Sequence, residues 1–103
     1  MVEWTNLTTQ RGEVIQNPGD EDLRTALRRL FQSKNNEHPD AWIECGSENG
    51  PLHSLSVFSS GYALYTKFSD ADMTEELEYR RIDGVTEELA YAIWKKLMDI
   101  GEV

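Results

Sequence analysis

Cysteine is nearly absent from this chain, and so is any long apolar run. The single Cys45 excludes a disulfide within the chain and every metal site built from several cysteines. The opening segment, MVEWTNLTTQ, has neither the basic stretch nor the apolar run of an export signal, and no segment approaches the length of a membrane span. We therefore expect a cytoplasmic protein that does not enter a membrane.

Positive charge is also scarce. Ten lysines and arginines stand against nineteen aspartates and glutamates, which gives a net charge of -9. Phosphate backbones and anionic lipid surfaces repel such a protein at long range. The composition therefore argues against nucleic acid and membrane surfaces as direct partners.

Side chains suited to catalysis are few. The chain has two histidines, His38 and His53, and no glycine-rich phosphate loop. Cys45 and His53 would form a nucleophilic pair if adjacent strands brought them together. However, alternation indicates a buried Cys45, where a thiol is inert, and a half-exposed His53. A small enzyme that uses His53 is thus a remote alternative.

A metal site would need His38 and Asp40 together with His53 or Glu44. Their spacing places them on no common helical turn or strand face, unlike a two-histidine helix motif. The many carboxylates form exposed runs, whereas acid–base catalysis needs a carboxyl of raised pKa in a pocket. We expect no enzyme activity, no metal and no cofactor.

What the chain does contain is an ordinary globular composition, with 39% hydrophobic and 28% charged residues. Its 103 residues favour one domain, residues 1–103. The first clear element is a helix near NPGDED, where Asn17 is a suitable cap and Pro18 a suitable first residue. Apolar residues at helical spacing then predict its buried stripe. They are Leu23, Ala26, Leu27, Leu30 and Phe31.

The middle of the chain alternates with period two, which is typical of strands. The alternating segments AWIEC, LHSLSVF and YALYTKF predict an antiparallel meander. A fourth strand is predicted at ELEYRRI, where a short helix over DADMTEEL competes. VEWTNLTT and EVIQ indicate one or two more strands. Trp42 faces away from Ile43 and Cys45, and alternation leaves open which of the two faces the helices cover.

The chain closes with a second amphipathic helix, for which Thr86 is a suitable cap. Its stripe is predicted at Leu89, Ile93, Leu97 and Ile100, widened by Ala90 and Trp94. Together the patterns predict an α+β fold with an antiparallel β-sheet of about four to six strands and a central meander. Two amphipathic helices, one early and one C-terminal, are expected to pack on one face.

Negative charge is concentrated in FSDADMTEELEYRRIDGVTEEL. Between Asp70 and Glu88 there are eight acids against two bases, Arg80 and Arg81. Such a run is either a solvated face or a binding surface for a basic partner. In the second case, complementary charge would accelerate association with that partner. The three arginines of the first helix offer an alternative small anion site, although we expect them to pair with neighbouring acids.

The order of elements resembles a known family. The resemblance lies in NPGDEDLRTALRRL as an early helix, in the strands AWIECG, HSLSVF and YALYTKF, and in VTEELAYAIWKKLMDIGE as a closing helix. These segments resemble the small immunity proteins of bacterial polymorphic toxin systems, most closely the first large family of such proteins. The resemblance implies binding and neutralisation of a cognate secreted toxin, often a nuclease or deaminase. It transfers no residue roles, because each toxin is met by surface residues that vary from pair to pair.

We therefore predict an immunity protein, or antitoxin, that occludes a basic, nucleic-acid-acting protein toxin without turnover. It is expected to be a monomer that forms a 1:1 complex. The predicted contact consists of six carboxylates and two aromatic anchors: Asp70, Asp72, Glu75, Glu76, Glu78, Asp83, Trp42 and Tyr79. An acidic cytoplasmic secretion chaperone or adaptor is the alternative, and it differs because such chaperones are normally dimers that hold a client segment partly extended.

Overall fold

The fold is that of a computed structural model, which describes residues 4–32, 40–47, 50–70, 72–73 and 75–100. The predicted α+β class is confirmed, with one antiparallel sheet of six strands and two helices. The strands are β1 (Trp4–Thr8), β2 (Val14–Gln16), β3 (Asp40–Gly46), β4 (Leu52–Phe58), β5 (Tyr62–Phe68) and β6 (Glu76–Asp83). The helices are α1 (Asp20–Gln32) and α2 (Glu87–Ile100). Within these ranges, neither helix has the length and apolar character needed to cross a membrane.

The six strands are arranged in the order β2-β1-β3-β4-β5-β6. The predicted meander of β3, β4 and β5 is confirmed, as is the strand at ELEYRRI, which extends to Asp83. The competing helix over DADMTEEL is absent from its described residues. The N-terminal segment supplies two strands, and β1 lies inside the sheet between β2 and β3. One edge of the sheet is therefore β6, and the other is the three-residue β2.

The first helix begins later than the sequence predicts. Gly19 precedes α1 and acts as its cap, because its carbonyl accepts the N–H of Leu23 at 3.2 Å. The N–H of Gly19 in turn donates to Asp22 Oδ2 at 2.9 Å, which is the acidic half of a capping box. Asp20 is thus the first helical residue.

Asn17 and Pro18, predicted to cap and start this helix, lie outside it. Asn17 is bonded to β1: its N–H donates to the Thr5 carbonyl at 2.6 Å, and its Oδ1 accepts the Thr5 N–H at 3.3 Å. It has a φ of 49°, a left-handed conformation that asparagine tolerates better than most residues. Pairing with β1 therefore overrides its capping propensity.

The second helix begins as predicted, since Thr86 Oγ1 accepts the N–H of Leu89 at 3.2 Å. Its buried stripe is rotated from the predicted one, because Leu89 is 37% exposed and Ile93 is half-buried. Fully buried are Ala90, Trp94 and Leu97. Trp94 faces the sheet, where its Nε1 donates to the Leu55 carbonyl at 3.3 Å. Burying the largest apolar side chain of the helix sets its rotation.

The core lies between the two helices and one face of the sheet, mainly at β3 and β4. The predicted stripe of α1 is confirmed, with Phe31 only partly buried. On the sheet, the face toward the helices carries Ala41, Ile43 and Cys45, which are fully buried. Trp42 consequently lies on the opposite face, which neither described helix covers and which we call the open face.

The rotation of α2 predicts different costs for two leucines of the same helix. Leu97→Ala is expected to lower the free energy of unfolding by about 2–5 kcal/mol, because it leaves a cavity in the core. Leu89→Ala is expected to cost less than about 1 kcal/mol, because this side chain is partly in solvent. Urea denaturation of both variants measures the difference. Equal losses would mean that Leu89 is also part of the core.

Candidate protein-interaction surface

The most exposed strand of the sheet is β6. Seven of its eight residues are exposed, and Ile82 is half-buried. The strand follows the connection that contains the first three acids of the acidic run, Asp70, Asp72 and Glu75. We define the acidic edge surface as β6 together with the described residues of that connection, which are Ser69, Asp70, Asp72, Met73 and Glu75.

The connection into β6 is shaped by short-range hydrogen bonds. The N–H of Ser69 donates to the Glu75 carbonyl at 2.8 Å and closes the loop. Asp70 forms an Asx turn, in which its Oδ1 accepts the N–H of Asp72 at 3.1 Å. The Asp70 carbonyl accepts the N–H of Met73, which has a φ of 58°. The acidic residues of the loop therefore belong to a folded turn.

A β-bulge marks the start of β6. The register with β5 passes from Lys67 opposite Glu78 to Phe68 opposite Glu76, so Leu77 is an additional residue on β6. A bulge of this kind bends and twists the strand locally. The pairing from Glu78 to Asp83 is regular.

Apolar side chains are exposed among these acids. Of the five large apolar side chains that are exposed in the described residues, three belong to the acidic edge surface. Met73 is 46% exposed, Leu77 51% and Tyr79 58%. Apolar side chains bordered by charged ones are also found in protein interfaces, where a polar rim surrounds a less polar centre. Sequence reasoning selected Tyr79 but missed Met73 and Leu77, although both interrupt the acidic run in the sequence.

The six predicted carboxylates do not form one cluster. Glu78 is paired with Arg80 (Oε2 to Nη2, 2.6 Å), and Asp83 with Arg81 (Oδ1 to Nε, 2.8 Å). Asp83 also lies at the far end of β6, about 23 Å from Glu76 at 3.3 Å per residue. The other four lie at the end of the sheet where β6 begins: Asp70, Asp72, Glu75 and Glu76. Excess negative charge is therefore concentrated at that end.

Trp42 shares the open face with Tyr79 but lies apart from it. Trp42 is on β3, and following the paired residues across β4 and β5 leads to Arg81 on β6. Three strand spacings therefore separate Trp42 from β6, which is about 14 Å. Trp42 is half-buried, and its Nε1 donates to Glu44 Oε1 at 3.0 Å. The two predicted anchors thus occupy one face without meeting.

The open face carries more aromatic residues than the sequence analysis recognised. By strand register they are Trp4, Trp42, Phe58, Tyr62, Phe68 and Tyr79. Phe58 and Tyr62 are stacked with ring centroids 4.5 Å apart, and the Arg81 guanidinium lies 4.2 Å from the Tyr62 centroid. The signal was present as alternation in β4 and β5, but it could be read only once the helix-covered face was known.

The residues of the catalytic alternative lie in the interior. Cys45 and His53 are directly opposite in the register of β3 and β4. His53 is only 7% exposed, so the expectation of a half-exposed histidine is wrong. Its Nδ1 is 2.9 Å from Tyr65 Oη, so this buried ring nitrogen has a hydrogen-bond partner. Burial raises the pKa of the Cys45 thiol to about 12, so it stays protonated near neutral pH.

The predicted metal ligands do not converge where they are described. Asp40 and Glu44 belong to the open face, whereas His53 faces the helix side of the sheet. His38 lies outside the described residues. Across the described part of the chain, no group of three or more His, Cys, Asp or Glu side chains is placed to hold a metal ion.

The arginines of α1 are dispersed. The Arg24 guanidinium lies 3.8 Å from the ring centroid of Tyr91, in a cation–π contact between the helices. Arg29 lines a pocket of about 250 Å³ between α1 and the β1–β2 turn, together with Glu21 and Asp22. Because this pocket contains both signs of charge, it does not select an anion.

Comparison with family models, with curated proteins and with solved structures finds no match for this chain.

The buried His53 predicts how stability depends on pH. Its pKa is lowered from the ordinary value of 6.5, first because burial disfavours the imidazolium and second because Lys67 is nearby. As the pH falls, His53 therefore binds a proton at a higher pH in the unfolded chain than in the folded one. The free energy of unfolding should be at its full value above about pH 6.5 and fall as the pH drops towards 5, by at most about 1.4 kcal/mol per pH unit.

His53→Gln should flatten this slope between pH 7 and 5, as measured by urea denaturation at each pH. Asp20 does not interfere in this window. Its pKa is lowered by the hydrogen bond to Lys95, so its contribution is lost only below its ordinary value of 3.8. An unchanged slope in His53→Gln would mean that another group takes up the proton.

Proposed function

We propose that this protein is an immunity protein that binds and neutralises a cognate secreted bacterial toxin and so protects the producing cell. The observation that carries the proposal is the acidic edge surface, where exposed Met73, Leu77 and Tyr79 stand among carboxylates. The apolar groups supply contact area that is worth removing from water. The carboxylates supply charge that selects the partner and guides it.

The sign of the charge indicates a basic partner. Nuclease and deaminase toxins bind polyanions through positive grooves, and such grooves attract an acidic protein for the same electrostatic reason. An inhibitor placed over the groove blocks the substrate by occlusion, so it needs neither turnover nor a cofactor. We propose a 1:1 complex in the cytoplasm of the producing cell.

A secretion chaperone is the second candidate function, and one observation favours it. The long edge strand β6 could hold an extended client segment by main-chain hydrogen bonds. Such a chaperone would retain several secreted clients and behave as a dimer. A monomer in size-exclusion chromatography with one stable partner favours immunity.

The function is tested by capture followed by a toxicity assay. The tagged protein is isolated from its native host at low and then high salt, and retained proteins are identified by mass spectrometry. A captured basic protein should arrest growth when expressed alone, and growth should return when this chain is co-expressed. A captured protein that is harmless, or whose toxicity persists on co-expression, would overturn the proposal.

Charge reversal on the acidic edge surface should slow association with the captured toxin. Glu75→Lys combined with Glu76→Lys is expected to lower the association rate constant at least about tenfold at low salt and to flatten its salt dependence. Thermal stability should change little, because both residues are exposed. Stopped-flow kinetics over a series of salt concentrations measure both quantities.

The matched control is Glu13→Lys combined with Glu21→Lys, which changes the net charge equally at the other side of the molecule. This variant should retain most of the association rate. If both pairs slow association alike, only the total charge matters and the acidic edge surface is not the contact.

Loss of the exposed aromatic ring should act on dissociation instead. Tyr79→Ala is expected to speed dissociation of the complex at least about tenfold, because an anchoring ring is lost from the interface. Val14→Ala is the control, since Val14 is 62% exposed on the opposite sheet edge. Surface plasmon resonance of both variants gives the rates. Equal rates for Tyr79→Ala and the unmodified chain would exclude Tyr79 as an anchor.

A further inference from the structure

We propose that the partner is bound by strand addition, in which an extended basic segment of the toxin pairs with the outer edge of β6 as a seventh strand. This inference rests on the proposed function and deepens it, because it states how the partner is held. Main-chain hydrogen bonds would supply affinity, and side chains on the two faces of the strand would supply specificity.

The outer edge of β6 has the geometry for such pairing. In an antiparallel pair, every second residue directs its N–H and C=O away from the neighbouring strand. The sheet order places β5 on one side of β6 and no described strand on the other. From Glu78 to Asp83 the strand is regular, so its outward groups are evenly spaced for a partner.

The two sheet edges differ in how strongly they are protected. Proteins protect edge strands from unwanted pairing by shortening them, by inserting proline, by β-bulges and by charged side chains. β6 has the last two, so its bulge limits regular pairing to Glu78–Asp83 and its charges limit the choice of partner. The β2 edge has only three residues, whereas β6 has eight and contains no proline or glycine. The β6 side chains are also exposed towards both faces, so a seventh strand would meet no covering helix from the described part of the chain.

Charge selects the occupant of this edge. Asp70, Asp72 and Glu75 precede β6 in the chain, and Glu76 is its first residue. A strand paired there would place its own side chains about 5 Å from those of β6. Basic residues at the end of the segment next to the acidic turn would therefore be attracted. An apolar residue at its centre would cover the exposed ring of Tyr79.

A second copy of this chain is a poor occupant of the same edge. Antiparallel pairing of two β6 strands about a two-fold axis sets the beginning of each against the end of the other. The acidic turn of one copy would then approach Asp83 and the first turn of α2, with Glu87 and Glu88, of the other. Like charges in that position repel. The edge is thus complementary to a basic strand and not to itself.

The experiment uses the whole 103-residue chain and synthetic octapeptides. The probe is an acetylated, amidated peptide of alternating lysine and valine. Its matched control has the same sequence and charge but carries N-methyl groups on every second residue, which removes the N–H groups along one edge. A glutamate–valine peptide reverses the charge. Binding is followed by isothermal titration calorimetry, and β6 amide protection by hydrogen exchange in NMR.

The lysine–valine peptide should slow exchange of the outward amides between Glu78 and Asp83. N-methylation should weaken binding at least about tenfold, because several main-chain hydrogen bonds are lost while the charge is kept. The glutamate–valine peptide should not bind. Equal binding of the methylated and unmethylated basic peptides, or unchanged exchange of the outward β6 amides when the basic peptide is bound, would overturn strand addition.

The two proposals fail in different ways. Protection of β6 by the basic peptide without a toxin that the chain neutralises would leave strand addition standing and remove the immunity function. Neutralisation of a captured toxin, with β6 amides that exchange equally fast in the free protein and the toxin complex, would leave the function standing and remove strand addition.

Discussion

Two helices can cover only part of a six-stranded sheet, and this limit decides which strands form the core and which remain in solvent. Side by side, two helices of about 10 Å diameter cover about 20 Å, whereas six strands at about 4.8 Å each extend over about 29 Å. Trp94 anchors the helical layer over the middle strands through its ring and its bond to the Leu55 carbonyl. The sheet therefore continues beyond its helical cover, and β6 is in solvent on both faces.

That uncovered strand explains the other properties of the surface. Almost no side chain of β6 is buried, so successive side chains point to two faces that are both in solvent. Charged residues can therefore occupy either face. The two arginines of this strand are held by neighbours on β6 and by ring contacts, with Arg80 5.5 Å from the Tyr65 centroid and Arg81 over Tyr62. The acids before the bulge lie in a turn with its own hydrogen bonds. Charge is thus balanced in the regular part of β6, from Glu78 to Asp83, and the excess of acids lies in the turn and at Glu76.

Much of the fold could be predicted from local pattern, because period and capping act within a few residues. The strands β3, β4, β5 and β6 and the Thr86 cap are examples. What local pattern could not supply is long-range packing. Asn17 bonds to β1 and not to α1, and Trp94 sets the rotation of α2. His53 reads as half-exposed until Tyr65 covers it from the next strand.

The candidate site shows the same division. Its acids and Tyr79 could be identified from the sequence. The exposure of Leu77 and the separation of the carboxylates depend on the bulge and the strand order, which the sequence pattern does not reveal.

The solvation of β6 has a consequence for how such a protein can diversify. Exposed substitutions typically change folding free energy by no more than about 0.5 kcal/mol, whereas a reversed charge or an altered ring changes what the edge attracts. Under the proposed function, recognition lies on β6 and the buried core on β3 and β4, so new specificities can arise on β6 while that core stays as it is.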